Sequence, residues 1–137
     1  MVALNSVTIA GNLGEDPEIR FTKGGQAVSN FSVASTPRVY NKDKNEWADG
    51  ETLWMRVTAW GDMAENVAET LRRGNRVLVT GRLEQNNWVT EEGEKRSSIQ
   101  MVADDVAPSL LFATAVVTRT EAKTKPVPKA RTTRTRK

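Results

Sequence analysis

A small all-β barrel carrying one short helix is the fold class this sequence predicts, on three observations. Five stretches carry strand-like patterns of apolar and β-branched residues, and one stretch alone repeats apolar residues at helical spacing. Their order is three strands, one helix, then two strands, all within about 110 residues, enough chain to bury a core without covalent staples.

The stretch Leu53-Trp54-Met55-Arg56-Val57-Thr58-Ala59-Trp60-Gly61 shows the alternation most plainly. Side chains on a strand point to opposite faces in turn, so Trp54, Arg56, Thr58 and Trp60 share one face and Met55, Val57 and Ala59 the other. The second set is built for a core. Burying an unpaired Arg would be costly in desolvation, so the Trp-Arg-Thr-Trp face is placed outward. Two indoles flanking a guanidinium form a stacking platform with a phosphate partner, which is what single-stranded nucleic-acid binding needs. Indoles are also common at barrel ends and subunit interfaces, and that reading stands beside the first.

Before that strand, residues 7–11 alternate and run into the turn Asn12-Leu13-Gly14, followed by Asp16-Pro17. Residues 18–22 resume an extended path until Gly24-Gly25, and residues 27–34 form the second strand with Phe31 in the core. Residues 37–51 are polar and charged, a long hairpin loop between strands. Tyr40 is surrounded there by Arg38, Lys42 and Lys44 and reads either as a base-stacking residue or as a loop-closing contact; Trp47 sits among acids and is a weaker candidate.

After the central strand, Met63, Val67 and Leu71 repeat every four residues with Ala64 and Ala68 beside them. That stripe predicts one amphipathic helix plugging a barrel end. Asp62 is its expected N-cap, with Glu65 three residues later, and Arg72, Arg73 and Gly74 suit its C-terminus. Residues 77–83 form the fourth strand, apolar on both faces in its first half and so covered by another element or another subunit. The chain continues extended to residue 90, turns at Glu91-Glu92-Gly93-Glu94 and returns over residues 95–102 as the fifth strand. Trp88 falls near that hairpin tip with Lys95 and Arg96 on the returning arm, a second candidate stacking site. Pro108 opens a last apolar segment, residues 110–117, expected as a further strand, and residues 118–137 have almost nothing to bury and are expected to be disordered. The expected domains are thus residues 1–118 and a basic tail, 119–137.

Charge is divided unevenly. Residues 1–112 hold 12 Lys+Arg against 16 Asp+Glu, whereas residues 113–137 hold 8 against 1. The net +3 is therefore a property of the tail, which either attracts polyanions or keeps an acidic core soluble. Without Cys or His the usual zinc sites, disulfides and His- or Cys-based catalysis are excluded, and no Gly-rich phosphate loop or dinucleotide fingerprint is present. An enzyme is the disfavoured rival, and no cofactor or small-molecule substrate is expected. No apolar run is long enough to span a bilayer and the N-terminus lacks the form of a signal peptide, so no membrane partner and a cytoplasmic location are expected.

The order of elements is that of a five-stranded OB barrel. Beyond it, Asn5, Val7, Gly11-Asn12-Leu13-Gly14, Asp16-Pro17-Glu18, Arg20-Phe21, Ala27-Val28-Ser29-Asn30-Phe31, residues 54–61, Ala64-Glu65-Asn66-Val67, Leu71, Arg73-Gly74, Val77, Gly81-Arg82-Leu83 and Trp88 resemble the bacterial single-stranded DNA-binding protein family through about residue 112. Residues 36–50, with Pro108-Ser109-Leu110 and Ala113-Thr114-Ala115, look most like the actinobacterial branch or its phages. The resemblance implies a homotetramer of OB folds that coats single-stranded DNA in replication, repair and recombination. It implies stacking by Trp54, Trp60 and Trp88, with Tyr40 near a fourth aromatic position, and a strand over residues 108–118 clasping a neighbouring subunit. Arg56, Arg82, Lys95 and Arg96 are the cations best placed to follow phosphates, while Arg72 and Arg73 read rather as partners of the helix dipole. The family's acidic tip ending Pro-Phe has no counterpart in Arg131-Thr132-Thr133-Arg134-Thr135-Arg136-Lys137, so recruitment of genome-maintenance proteins by that route is not expected. An OB fold serving as an RNA-binding or protein-interaction module, of the primosome accessory type, is the alternative, since stacking is blind to the sugar.

Overall fold

The computed structural model describes residues 4–121 and runs β1 (Val7–Leu13), β2 (Glu18–Phe21), β3 (Ala27–Ser35), β4 (Arg38–Asn41), β5 (Glu46–Asp49), β6 (Leu53–Trp60), α1 (Asp62–Thr70), β7 (Arg76–Val89) and β8 (Lys95–Pro108). Strand β1 pairs antiparallel with β7 along its length, and its end crosses to β3 through Asn12↔Ala34 and Leu13↔Val33. Strand β3 pairs antiparallel with β6 from Val28↔Trp60 to Ser35↔Leu53, β6 meets β8 in parallel through Val57↔Met101 and Thr58↔Val102, and β8 returns to β7. The ring β1-β3-β6-β8-β7 is therefore closed, the five-stranded OB barrel that the element order predicts. Short β2 pairs with the other end of β3, and β4 with β5 forms a separate two-stranded hairpin.

Closure gives every strand an inside. Ile9, Leu13, Phe31, Val33, Val57, Ala59, Val77, Val79, Met101 and Ala103 fill it, Phe31 without any solvent exposure. Burial of a side chain of that size contributes roughly 1.5–3 kcal/mol. Helix α1 adds Ala64 and Val67, and Leu71 just beyond it, packing against β3 and β6 as the predicted plug.

Several expectations are corrected. Asp62 is the first residue of α1, and its N-cap is Gly61, whose carbonyl accepts from the Ala64 and Glu65 amides at 2.9 and 3.3 Å. The cap is made by backbone, with no side-chain cap hydrogen bond, while Asp62 and Glu65 lie in the first turn at the positive end of the helix dipole. At the other end, the Arg72 guanidinium donates to the Ala68 and Leu71 carbonyls at 2.7 Å each, so this Arg serves the helix terminus.

Thr58, expected outside, is buried and donates to Asn30 Oδ1 at 2.9 Å, because its neighbours on β3 and β8 close over the middle of β6. The fifth strand continues past residue 102 to Pro108. Between the pairs Thr80↔Asp105 and Gly81↔Ala103 the register slips by one residue, leaving Asp104 as the extra, exposed residue of a bulge. The slip breaks the two-residue period that marks a strand in sequence.

Beyond Pro108 no strand forms among the described residues, although residues 110–117 were expected to make one. The segment pairs with none of the free edges the chain offers, such as the outer side of β2. Ser109 instead donates its amide to the Arg76 carbonyl at 2.9 Å, and the Arg76 guanidinium lies 5.9 Å from the Phe112 ring centre. Most of the predicted basic tail, residues 122–137, lies outside the described residues.

The bulge also explains Gly81. A Cβ there would stand 2.1 Å from the Val102 carbonyl oxygen and 2.9 Å from Ala103 Cα, both backbone atoms that cannot swing away. Gly81→Ala is expected to destabilise the fold by about 1–3 kcal/mol or more through overpacking, read as a lower urea midpoint; an unchanged midpoint would show that β8 does not approach so closely.

Candidate nucleic-acid interface

Strand β6 is two-faced. Val57 and Ala59 point into the core with Met55 packed against it, while Trp54 is 62% exposed, Trp60 40%, and Arg56 lies between them on the outer side. Along the neighbouring strand their pairing partners are Ala34, Val28 and Ser32, all smaller than the residue they face.

Each member of this face has a specific setting. The six-membered ring of Trp54 reaches over Gly14, where an added Cβ would fall 2.6 Å from Cζ3. Gly14 is itself fixed by its amide, which donates to the Ser32 carbonyl at 3.0 Å. The Arg56 guanidinium donates to Glu15 Oε2 at 3.0 Å and to Ser32 Oγ at 3.2 Å. Both charged side chains stay about half exposed, so this pair contributes about 0–1 kcal/mol and a phosphate is able to replace the carboxylate.

The other predicted residues sit on two arms. Beyond the barrel, β7 and β8 continue as a ladder whose residues 86–89 and 95–99 are exposed on both strands. There Trp88, 48% exposed, pairs across the ladder with Arg96, and Val89 with Lys95. These residues with Asn87 and Ser97 line a concavity of about 500 Å³. Arg96 is held by Glu94 at 2.7 Å, whereas Lys95 makes no ion pair among the described residues. Arg82 is placed differently: it is the least exposed of the four cations and its guanidinium lies between Glu84 at 3.2 Å and Asp104 at 3.9 Å. On the β4–β5 arm, Tyr40 meets Trp47 edge to face with ring centres 5.3 Å apart and donates its hydroxyl to Asn45 Oδ1 at 3.0 Å. The loop-closing contact is thus present, and the Tyr40 ring still remains 42% exposed.

The arrangement can stack flat rings and pair with phosphates. Residues 4–109 match the family model described as the single-strand binding protein family. The chain belongs to that family. It is 50% identical over 121 residues to a single-stranded DNA-binding protein of Paenarthrobacter aurescens, covering 88% of this chain and 71% of that one. To the protein of the same name from Mycobacterium leprae (strain TN) it is 53% identical over 119 residues, 87% of this chain and 71% of that one. Both are actinobacterial relatives, the branch to which residues 36–50 pointed. Among solved structures, the small single-stranded DNA-binding protein from Streptomyces coelicolor superposes with a TM-score of 0.68 at 31% identity, covering 80% of this chain and 97% of that one. Members of the family are DNA-binding proteins and not enzymes, which disposes of the enzyme reading. Among the described residues no helix is long and apolar enough to cross a membrane.

Two residues escaped the sequence reading. Gly14 looked like a turn residue, and Glu15 was not singled out; each meets its partner on β6 some 40 positions later, a contact that local pattern does not encode. Gly14→Ala is expected to leave the fold standing and to push the Trp54 indole aside, because the clashing atom is the far end of a movable side chain. Near-ultraviolet circular dichroism should change in this variant, and should not change when the same substitution is made on a Trp54→Phe background; identical spectra for Gly14→Ala and wild type would refute the contact.

Proposed function

We propose that this chain binds single-stranded DNA without sequence preference, stacking bases on Trp54, Trp60, Trp88 and Tyr40 while Arg56, Lys95 and Arg96 meet the phosphates. The observation that carries the reading is the outward pair of indoles on a strand whose other face is core, with a half-exposed guanidinium between them. Every base has a π-face, so stacking tolerates any sequence, and duplex DNA, whose bases are already stacked, should compete poorly. Arg82 contributes less, since it would first have to leave two carboxylates.

Assembly as a homotetramer fits an outer surface that one chain leaves uncovered. Leu78 stands 48% exposed opposite Ala10 on the β1–β7 face, and Leu110, Leu111, Phe112, Val116 and Val117 are exposed after β8. A neighbouring subunit would cover the first and supply an edge for the second, which explains why the fourth strand reads as apolar on both faces. Such an assembly would protect single strands during replication, repair and recombination in the cytoplasm.

Titration with oligo-dT should quench tryptophan emission. Each of Trp54→Ala, Trp60→Ala and Trp88→Ala should weaken binding by about 1–3 kcal/mol, with unchanged affinity in all three variants counting against the reading. Arg56→Ala should reduce the slope of log affinity against log salt by about 0.7, the value for one phosphate contact to a single strand. Competition between oligo-dT and oligo-U at fixed salt separates DNA from RNA: preference for oligo-U would replace the DNA reading by an RNA-binding one.

A further inference from the structure

The β4–β5 arm has no core of its own, for all eight of its strand residues are exposed, yet it is held in one shape. It prolongs the β3–β6 pair: after Ser35↔Leu53 come the Thr36 and Thr52 hydroxyls in contact at 2.7 Å, then the Gly50 amide donating to the Pro37 carbonyl at 2.8 Å, then the ladder Arg38↔Asp49 to Asn41↔Glu46. At its tip Asn41 Oδ1 accepts from the Asp43 and Lys44 amides at 2.9 and 3.2 Å, and Asn45 takes a left-handed conformation. On this arm two aromatic rings stand exposed, packed on each other and on no buried core.

Acidic neighbours made Trp47 a weak candidate in sequence, and the pairing removes that objection. Cross-strand partners share a face, so Tyr40, Trp47, Arg38 and Asp49 stand on one side, and Glu46, next to Trp47 in the chain, stands on the other with Asn41. On the aromatic side the acid is neutralised, since Arg38 Nη1 lies 2.8 Å from Asp49 Oδ1. The result is a face with two rings and a balanced ion pair. Of the two rings Trp47 is the more open, 61% exposed against 42% for Tyr40, and Tyr40 is tied down at its hydroxyl.

We propose that Trp47 is a further nucleotide-stacking residue, its indole braced edge to face by the neighbouring Tyr40 ring. Resting on the single-stranded DNA reading above, this adds Trp47 to Tyr40 as an aromatic ring for bases on the arm, away from the β6 platform. Tyr40 lies six residues along the chain from Ala34, the partner of Trp54, which is roughly 20 Å of extended strand. A short oligonucleotide seated on β6 therefore does not reach Trp47, and a longer one does.

The test uses the full chain and oligo-dT of increasing length at fixed salt. Trp47→Leu keeps an apolar partner for Tyr40 and removes the π-face. It should bind short oligo-dT as wild type does and lose roughly 5- to 150-fold in affinity once the oligonucleotide spans the arm, as expected for one stacked base. Trp47→Phe should recover part of the loss, which a merely structural role for the indole would not require once Leu is tolerated. Equal affinity of wild type and Trp47→Leu at every length overturns the proposal and leaves the DNA reading intact; a wild-type chain that binds no oligo-dT at all overturns both. A Trp47→Leu loss already present with the shortest oligonucleotides also overturns it, because the arm would then be acting through the β6 platform.

Discussion

Closing a sheet on itself obliges every strand to have an inside and an outside, and β6 shows the consequence most sharply. Val57 and Ala59 are sealed in the core while Trp54, Arg56 and Trp60, one residue out of phase, are turned to solvent. A slip of one residue in the β3–β6 register would exchange the two sets, burying a guanidinium and exposing the aliphatic residues. The same contacts that stabilise the barrel therefore aim the rings. Stability and binding geometry share one constraint, which is why the outer face needs so little of its own scaffolding.

What scaffolding there is comes from the turn after β1. Gly14 gives Trp54 room by lacking a Cβ, and the next residue, Glu15, engages Arg56. The two neighbours thus touch the two ends of the Trp54–Arg56 pair, one by absence of atoms and one by charge. A partly solvated carboxylate is a suitable placeholder for a guanidinium destined for phosphate: it holds the side chain in position, and its loss costs about 1 kcal/mol or less. The arms follow a different logic. Exposed on both faces, they keep their shape through ladders, turns and side-chain pairs, and they extend the aromatic surface beyond what the barrel wall provides.

Much of this was legible in the chain because strand and helix periods are local. The alternation at residues 53–61 gave both faces of β6 except at Thr58, whose burial depends on strands arriving from elsewhere in the fold. The four-residue repeat of Met63, Val67 and Leu71 gave the plug, although its cap fell to the Gly61 backbone and not to Asp62. The fifth strand was cut short because a bulge at Asp104 interrupts the alternation. Residues 110–117 have the composition of a strand and form none within this chain, because composition does not say which edge a strand will pair with. The acids beside Trp47 in the chain are likewise not an acidic surface, since Glu46 faces the other side of the arm and Asp49 is paired with Arg38.

The central claim is that outward indoles meet the bases themselves. Photochemical cross-linking of the full chain to an oligo-dT carrying 5-iodouracil, followed by peptide mapping, tests it most directly. The account predicts adducts at Trp54, Trp60 and Trp88. Adducts confined to residues 113–137, with none on β6 or the β7–β8 arm, would contradict it and make the basic segment the binding element instead.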